Sequence, residues 1–123
     1  MISTSFQGYG RNVTEKELHL QVAEYLTHRL GKQNVWHSSR NEGQHKPQYR
    51  MMQLRMGMRK GWPDIELIHK GRFIAIELKT DKGKLSKAQK ECHELITLSG
   101  GLVKVCRSLR EVESFLEMAI GTD

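Results

Sequence analysis

Gly61-Trp62-Pro63-Asp64-Ile65-Glu66-Leu67-Ile68-His69-Lys70-Gly71-Arg72-Phe73-Ile74-Ala75-Ile76-Glu77-Leu78-Lys79 is the stretch whose register decides the fold of this chain. Two strand-like runs, Asp64 to His69 and Arg72 to Thr80, flank Lys70-Gly71, a dipeptide suited to a tight hairpin connection. With Lys70 and Gly71 as the loop, His69 faces Arg72, Leu67 faces Ile74, and Asp64 comes opposite Glu77. Facing residues of an antiparallel pair have Cβ atoms about 4.5 to 5.5 Å apart, and like charges there destabilise the sheet. A divalent cation with oxygen ligands turns such repulsion into a binding site. Lys79 lies two residues past Glu77, so strand alternation points both at one face, while Ile74, Ile76 and Leu78 point to the other and into the core.

Outward from the hairpin, the pattern is mixed helix and strand. Thr14 with Glu17 forms a capping box, and Leu18, Val22, Tyr25, Leu26 and Leu30 make one apolar stripe that Gly31 ends. Asn34 to Ser38 fits a short strand, and Ser39 to Tyr49 reads as a polar mobile loop with Gly43 and Pro47. Arg50 to Met58 suits a short helix. Its Met51, Met52, Leu54, Met56 and Met58 fit core filling and a surface facing a second subunit or DNA equally well. Ser86 caps a long helix with Ala88, Cys92, Leu95 and Ile96 inward and Gly100-Gly101 as its stop. Leu102 to Arg107 is a last strand, and Ser108 with Glu111 opens a terminal helix with Val112, Phe115, Leu116 and Ala119 inward. The order α-β-(α)-β-β-α-β-α predicts an α/β fold, a mixed central sheet flanked by helices.

At 123 residues and 14.2 kDa, residues 1–123 are expected to form one domain, with 1–12 a flexible lead-in. No stretch approaches the roughly 20 apolar residues of a membrane span, and Met1 to Asn12 lacks the apolar run of a signal peptide, so a cytoplasmic protein without a membrane partner is expected. Cys92 and Cys106 fit neither a zinc knuckle nor a disulfide framework; two reduced, buried thiols are expected. The net charge of +6 is localised. Between Gly31 and Lys60 seven basic residues (Lys32, Arg40, Lys46, Arg50, Arg55, Arg59, Lys60) meet one acid, Glu42, which accounts for the whole excess. Such a segment fits a phosphate backbone, and equally a solvated basic loop.

Gly61-Trp62-Pro63-Asp64 followed by Glu77-Leu78-Lys79 resembles the signature of the PD-(D/E)XK nuclease superfamily, and the surrounding pattern resembles its VRR-NUC (virus-type replication-repair nuclease) branch. Glu15 supplies an acid on the preceding helix. Gly83-Lys84-Leu85-Ser86-Lys87-Ala88-Gln89 is similar to that branch's G-x-L-S-x-x-Q element. The resemblance implies a restriction-endonuclease-like core and metal-dependent phosphodiester hydrolysis leaving a 5′-phosphate, with Asp64, Glu77 and the Leu78 carbonyl holding Mg²⁺, for which Mn²⁺ substitutes. Lys79 would orient or deprotonate the attacking water or stabilise the pentavalent phosphate; a plain salt bridge is its structural alternative.

Glu15 lies near the inward stripe of its helix, where it serves either as a further ligand or as a first-turn acid. Gln89 serves either the site or the capping box begun by Ser86. Trp62 fits packing or stacking on a base. Lys82, Lys84 and Lys87 stand beside the site for phosphate contact, joining Arg50, Arg55, Arg59 and Lys60. The six histidines show no ligand spacing and receive no catalytic role. The resemblance to stand-alone phage or prophage proteins implies a homodimeric, structure-specific DNA endonuclease that resolves Holliday-type junctions. The alternatives are a nuclease of flaps or single-stranded ends, a sequence-reading nuclease, and a module that binds branched DNA without cutting.

Overall fold

The computed structural model describes residues 13–32, 34–39 and 46–121. The expected flexible lead-in of residues 1–12, and Arg40 with most of the expected polar loop, lie outside them. The described chain runs α1 (Glu15–Leu30), β1 (Val35–Ser38), α2 (Pro47–Arg55), β2 (Ile65–His69), β3 (Arg72–Leu78), α3 (Lys87–Leu98), β4 (Leu102–Cys106) and α4 (Leu109–Ile120). Lys70 and Gly71 both take positive φ, 50° and 81°, as a two-residue hairpin turn requires when its twist must match that of its strands. The register follows from that turn: His69 pairs with Arg72, Leu67 with Ile74 and Ile65 with Ile76.

The sheet order is β1-β2-β3-β4, antiparallel across the first two pairs and parallel between β3 and β4, with α3 as the crossover. Strand alternation gives the sheet two different faces. Ile65, Leu67, Ile74, Ile76, Leu78 and Cys106 pack with Leu18, Val22 and Leu26 of α1 and Leu109, Val112 and Leu116 of α4 to form the apolar core. Phe73, Ala75 and Glu77 turn to the opposite face, against α3. Both thiols are free and buried, and no described helix is long and apolar enough to cross a membrane.

Three sequence expectations are corrected. The short helix spans Pro47–Arg55 instead of starting at Arg50, because Pro47 sits at its first turn, where its fixed φ suits the helix and its missing N–H costs no bond. Its apolar side chains do not fill the core: α2 buries none of its residues, and Met51, Met52, Leu54, Met56 and Met58 are all exposed. In α3 the inward stripe is Cys92, His93 and Ile96, while Leu95 is exposed. The helix is rotated so that His93, and not Leu95, reaches the sheet, because β3 presents a carboxylate there.

Candidate active site

The site is assembled from the ends of β2 and β3, the start of α3 and the start of α1. Asp64 immediately precedes β2, and continuing the register places it opposite Glu77. Its Oδ2 accepts a hydrogen bond from the Leu78 N–H at 2.8 Å, tying the acid to the partner strand. Its own backbone is held from the other side. The Ser39 N–H donates to the Asp64 carbonyl at 2.8 Å, and the Ser39 hydroxyl bonds the Pro63 carbonyl. Gly61 sets the approach to this turn. Its φ is +82°, and a Cβ there would lie 2.3 Å from the Ala88 carbonyl oxygen, so the Gly61-Trp62-Pro63 segment can rest on the first turn of α3 only with glycine at its start.

Glu77 is 2% exposed, an unusual place for a carboxylate. Its Oε1 lies 3.1 Å from His93 Nε2, and its Oε2 accepts from Gln89 Nε2 at 3.3 Å. Burial pushes the Glu77 carboxyl up to about 8, with the Asp64 charge and a hydrogen bond to Asp64 adding to it, Lys79 opposing, and Glu15 adding a further push. Without a cation, Glu77 therefore holds its proton at neutral pH. Burial lowers the His93 pKa, the Asp64 charge opposes and Lys79 adds to the lowering, so the ring is neutral at neutral pH. Against an ionised Glu77, its Nε2–H must be the donor.

The other expected site residues divide into those brought together and those left at the surface. Lys79 is half-buried, and its N–H bonds the Cys106 carbonyl at 3.1 Å, so the strand geometry carries past the end of β3. A Cβ at Gly83 would lie 3.3 Å from Lys79 Cδ, so the turn after β3 runs against the lysine stem. Glu15, the first residue of α1, is half-buried and its charge reaches Glu77. Gln89 has both of the roles open to it. Its Oε1 accepts from the Ser86 N–H at 2.9 Å to complete the capping box, leaving Nε2 for Glu77. Arg50 and Arg55 on α2, Arg59 and Lys60 after it, and Lys82, Lys84 and Lys87 before and at the start of α3 are all exposed.

Three contributors were not among the expected residues. His93 had a legible signal, since it lies four residues after Gln89 and therefore on the same helical face. Ser39 had none, because its bonds to Pro63 and Asp64 span the β1–β2 connection. Arg107 is the third: its Nη1 donates to the carbonyls of Thr80 at 2.6 Å and Gly83 at 2.8 Å, clamping the turn that follows Lys79.

Among the described residues, no three His, Cys, Asp or Glu side chains form a closed metal cage. The donor set fits Mg²⁺ nonetheless, because that ion keeps several waters and binds through one or two carboxylates together with substrate phosphate. Two adjoining acids, Asp64 and the buried Glu77, are such a set.

Comparison with known proteins bears on the fold and the family. Among curated proteins none matches the chain. A solved structure described as "VRR_NUC domain protein" superposes with a TM-score of 0.63 at 23% identity, covering 89% of this chain and 90% of that one, and shares the restriction-endonuclease-like fold. The family model of the VRR-NUC domain matches residues 11–109, which hold the hairpin, both acids, Lys79, the Gln89 helix and Glu15, and the chain thus belongs to the VRR-NUC family of nucleases.

Proposed function

We propose that the protein is a Mg²⁺-dependent, structure-specific DNA endonuclease whose site is Asp64, Glu77 and Lys79. The observation that carries this reading is the buried Glu77 carboxylate set beside Asp64, with Lys79 two positions along the same strand. Asp64, Glu77 and the Leu78 carbonyl would hold the ion, with Glu15 as a further acid, and Mn²⁺ can substitute. When bound, the ion supplies neutralising charge for the phosphate and acidifies a water. The chain's own groups do the rest. His93 and Gln89 hold the two Glu77 oxygens in place, so that the acid presents a fixed orientation when it ionises. Lys79, with its stem against the clamped turn, offers a cation to the developing pentavalent phosphate.

Branched DNA and a homodimer belong to the same proposal. The described residues form one such site per chain, resolution of a four-way junction needs two opposed cuts, and a two-fold dimer matches the junction's symmetry. The exposed methionine-rich α2 supports it, offering apolar surface from which an interface can be built. A cytoplasmic location goes with this role. Incubation with linear duplex, flap and four-way junction DNA, with Mg²⁺ or with EDTA, tests the reading. Paired incisions in the junction with Mg²⁺ alone are expected. Cleavage in EDTA would refute metal dependence, and cutting of flaps only would replace the resolvase reading with flap cleavage.

A further inference from the structure

Beside the acids, on the α3 face, runs a groove of about 470 Å³. It is lined by Trp62, Phe73, Leu95, Ile96 and Ser99, with Arg59 as its cationic lining residue. The floor requires glycine, since a Cβ on Gly101 would lie 2.9 Å from Ile96 Cγ2 and 3.1 Å from Phe73 Cδ2. Trp62 is fixed in place: its indole N–H donates to Glu66 Oε2 at 2.6 Å, and it meets Phe73 edge-on with centroids 5.8 Å apart at 60°. It still leaves 38% of its surface open. The groove adjoins the candidate active site. Trp62 is two residues before Asp64, and Cys92, which also lines the groove, lies within hydrogen-bonding reach of Arg59 and feels the Glu77 charge.

We propose that this groove binds a single unpaired nucleobase of the substrate strand, flat against Trp62, with Arg59 on the adjoining phosphate. The inference rests on the nuclease reading for its supply of DNA. An apolar side chain from another protein would match the walls but leave the guanidinium without an anion, whereas a nucleotide matches both a rigid aromatic wall and a cation. A base stacked within a duplex cannot enter. The groove thereby links cleavage to DNA that offers an unpaired base at a branch or end.

The test uses the full chain carrying Trp36→Phe, which leaves Trp62 as the sole tryptophan, in EDTA. The probes are a six-nucleotide oligothymidylate and an abasic phosphodiester strand of the same length. The thymidylate is expected to quench Trp62 fluorescence and to bind roughly ten-fold more tightly than the abasic strand. Ser99→Phe, an exposed position at the groove edge, is expected to abolish that difference with melting temperature unchanged. Equal binding of both strands would overturn the proposal. So would quenching that grows with protein concentration in the absence of DNA, which would give the groove to a second copy of the chain. Failure of the nuclease reading shows separately, as unmodified protein that leaves linear, flap and junction DNA all uncut with Mg²⁺.

Discussion

Glu77 is placed where an ionised carboxylate is penalised, and the penalty has a direction that can be measured. Its folded pKa, near 8, lies above the ordinary 4.5, so its contribution to stability is fully present below about pH 4.5 and is lost as pH rises through 8. The metal-free protein is therefore expected to melt at progressively lower temperature from pH 5 to pH 9. Glu77→Gln, which mimics the protonated acid, should flatten that decline and abolish cleavage. Binding a cation needs the ionised form, so stabilisation by Mn²⁺ should be larger at pH 8.5 than at pH 5.5. Scanning calorimetry across pH checks the melting behaviour, and a wild-type profile identical to that of Glu77→Gln would show that Glu77 carries no such shift. His93 supports the same carboxylate from behind. His93→Ala should weaken Mn²⁺ binding by about 10-fold to 100-fold in calorimetric titration, and His93→Gln, which keeps a donor at that reach, should recover part of it. A loss of melting temperature with unchanged Mn²⁺ affinity would assign His93 to packing alone.

The hairpin and α3 form one unit, because the Gly61-Trp62-Pro63 segment lies on the first turn of that helix. Gly61→Ala adds a Cβ 2.3 Å from a backbone oxygen and a side chain at a φ of +82°, so a loss of stability of about 3 kcal/mol is expected from overpacking and backbone strain together. Urea denaturation reads it, and a loss under about 1 kcal/mol would mean that the segment can lift off the helix freely. Ser86→Ala, by comparison, should cost about 1 kcal/mol through removal of the cap. It should also disturb Gln89, whose amide joins the cap to Glu77. The same elements show how far sequence patterns reach. The hairpin register is legible because the loop dipeptide fixes it and a period of two carries it along both strands to the acids. The inward stripe of α3 departs from its apolar pattern at Leu95, because hydrophobicity alone assigns the core face and here a carboxylate on the sheet selects histidine.

The net charge of +6 is carried by the Gly31 to Lys60 segment, whose Arg50, Arg55, Arg59 and Lys60 are exposed, and that sets how the chain meets a polyanion. Neutralising Arg50, Arg55 and Arg59 together should reduce the slope of log affinity against log salt by about 0.9 for each duplex phosphate that is no longer neutralised. Lys82, Lys84 and Lys87 should behave alike, and an unchanged slope would leave these residues to solubility. Assembly is a separate question for the same surface. Replacing Met51 and Met56 by serine should shift a homodimer toward monomer in light scattering at micromolar concentration while leaving the melting profile of the monomer unaltered, since α2 buries nothing within its own chain. A variant that remains dimeric would move the interface elsewhere.

By itself, the amino-acid sequence determined the element order, the hairpin register and the pairing of Asp64 with Glu77, because capping boxes, turn dipeptides and side-chain periodicity are local and act through a few residues each. It also marked Lys79, Glu15 and Gln89, though for the last two it left a structural and a chemical role in balance. Only the tertiary structure brought Gln89 to Glu77 and added His93, Ser39 and Arg107. It also placed the methionines of α2 outside the core and set Trp62 and Arg59 along one groove. These outcomes depend on which face of α3 meets the sheet, on how the β1–β2 connection closes over Pro63, and on bonds between residues up to 27 positions apart, as for Arg107 and Thr80. Such bonds follow from packing the whole chain at once, and no period within a single segment encodes them.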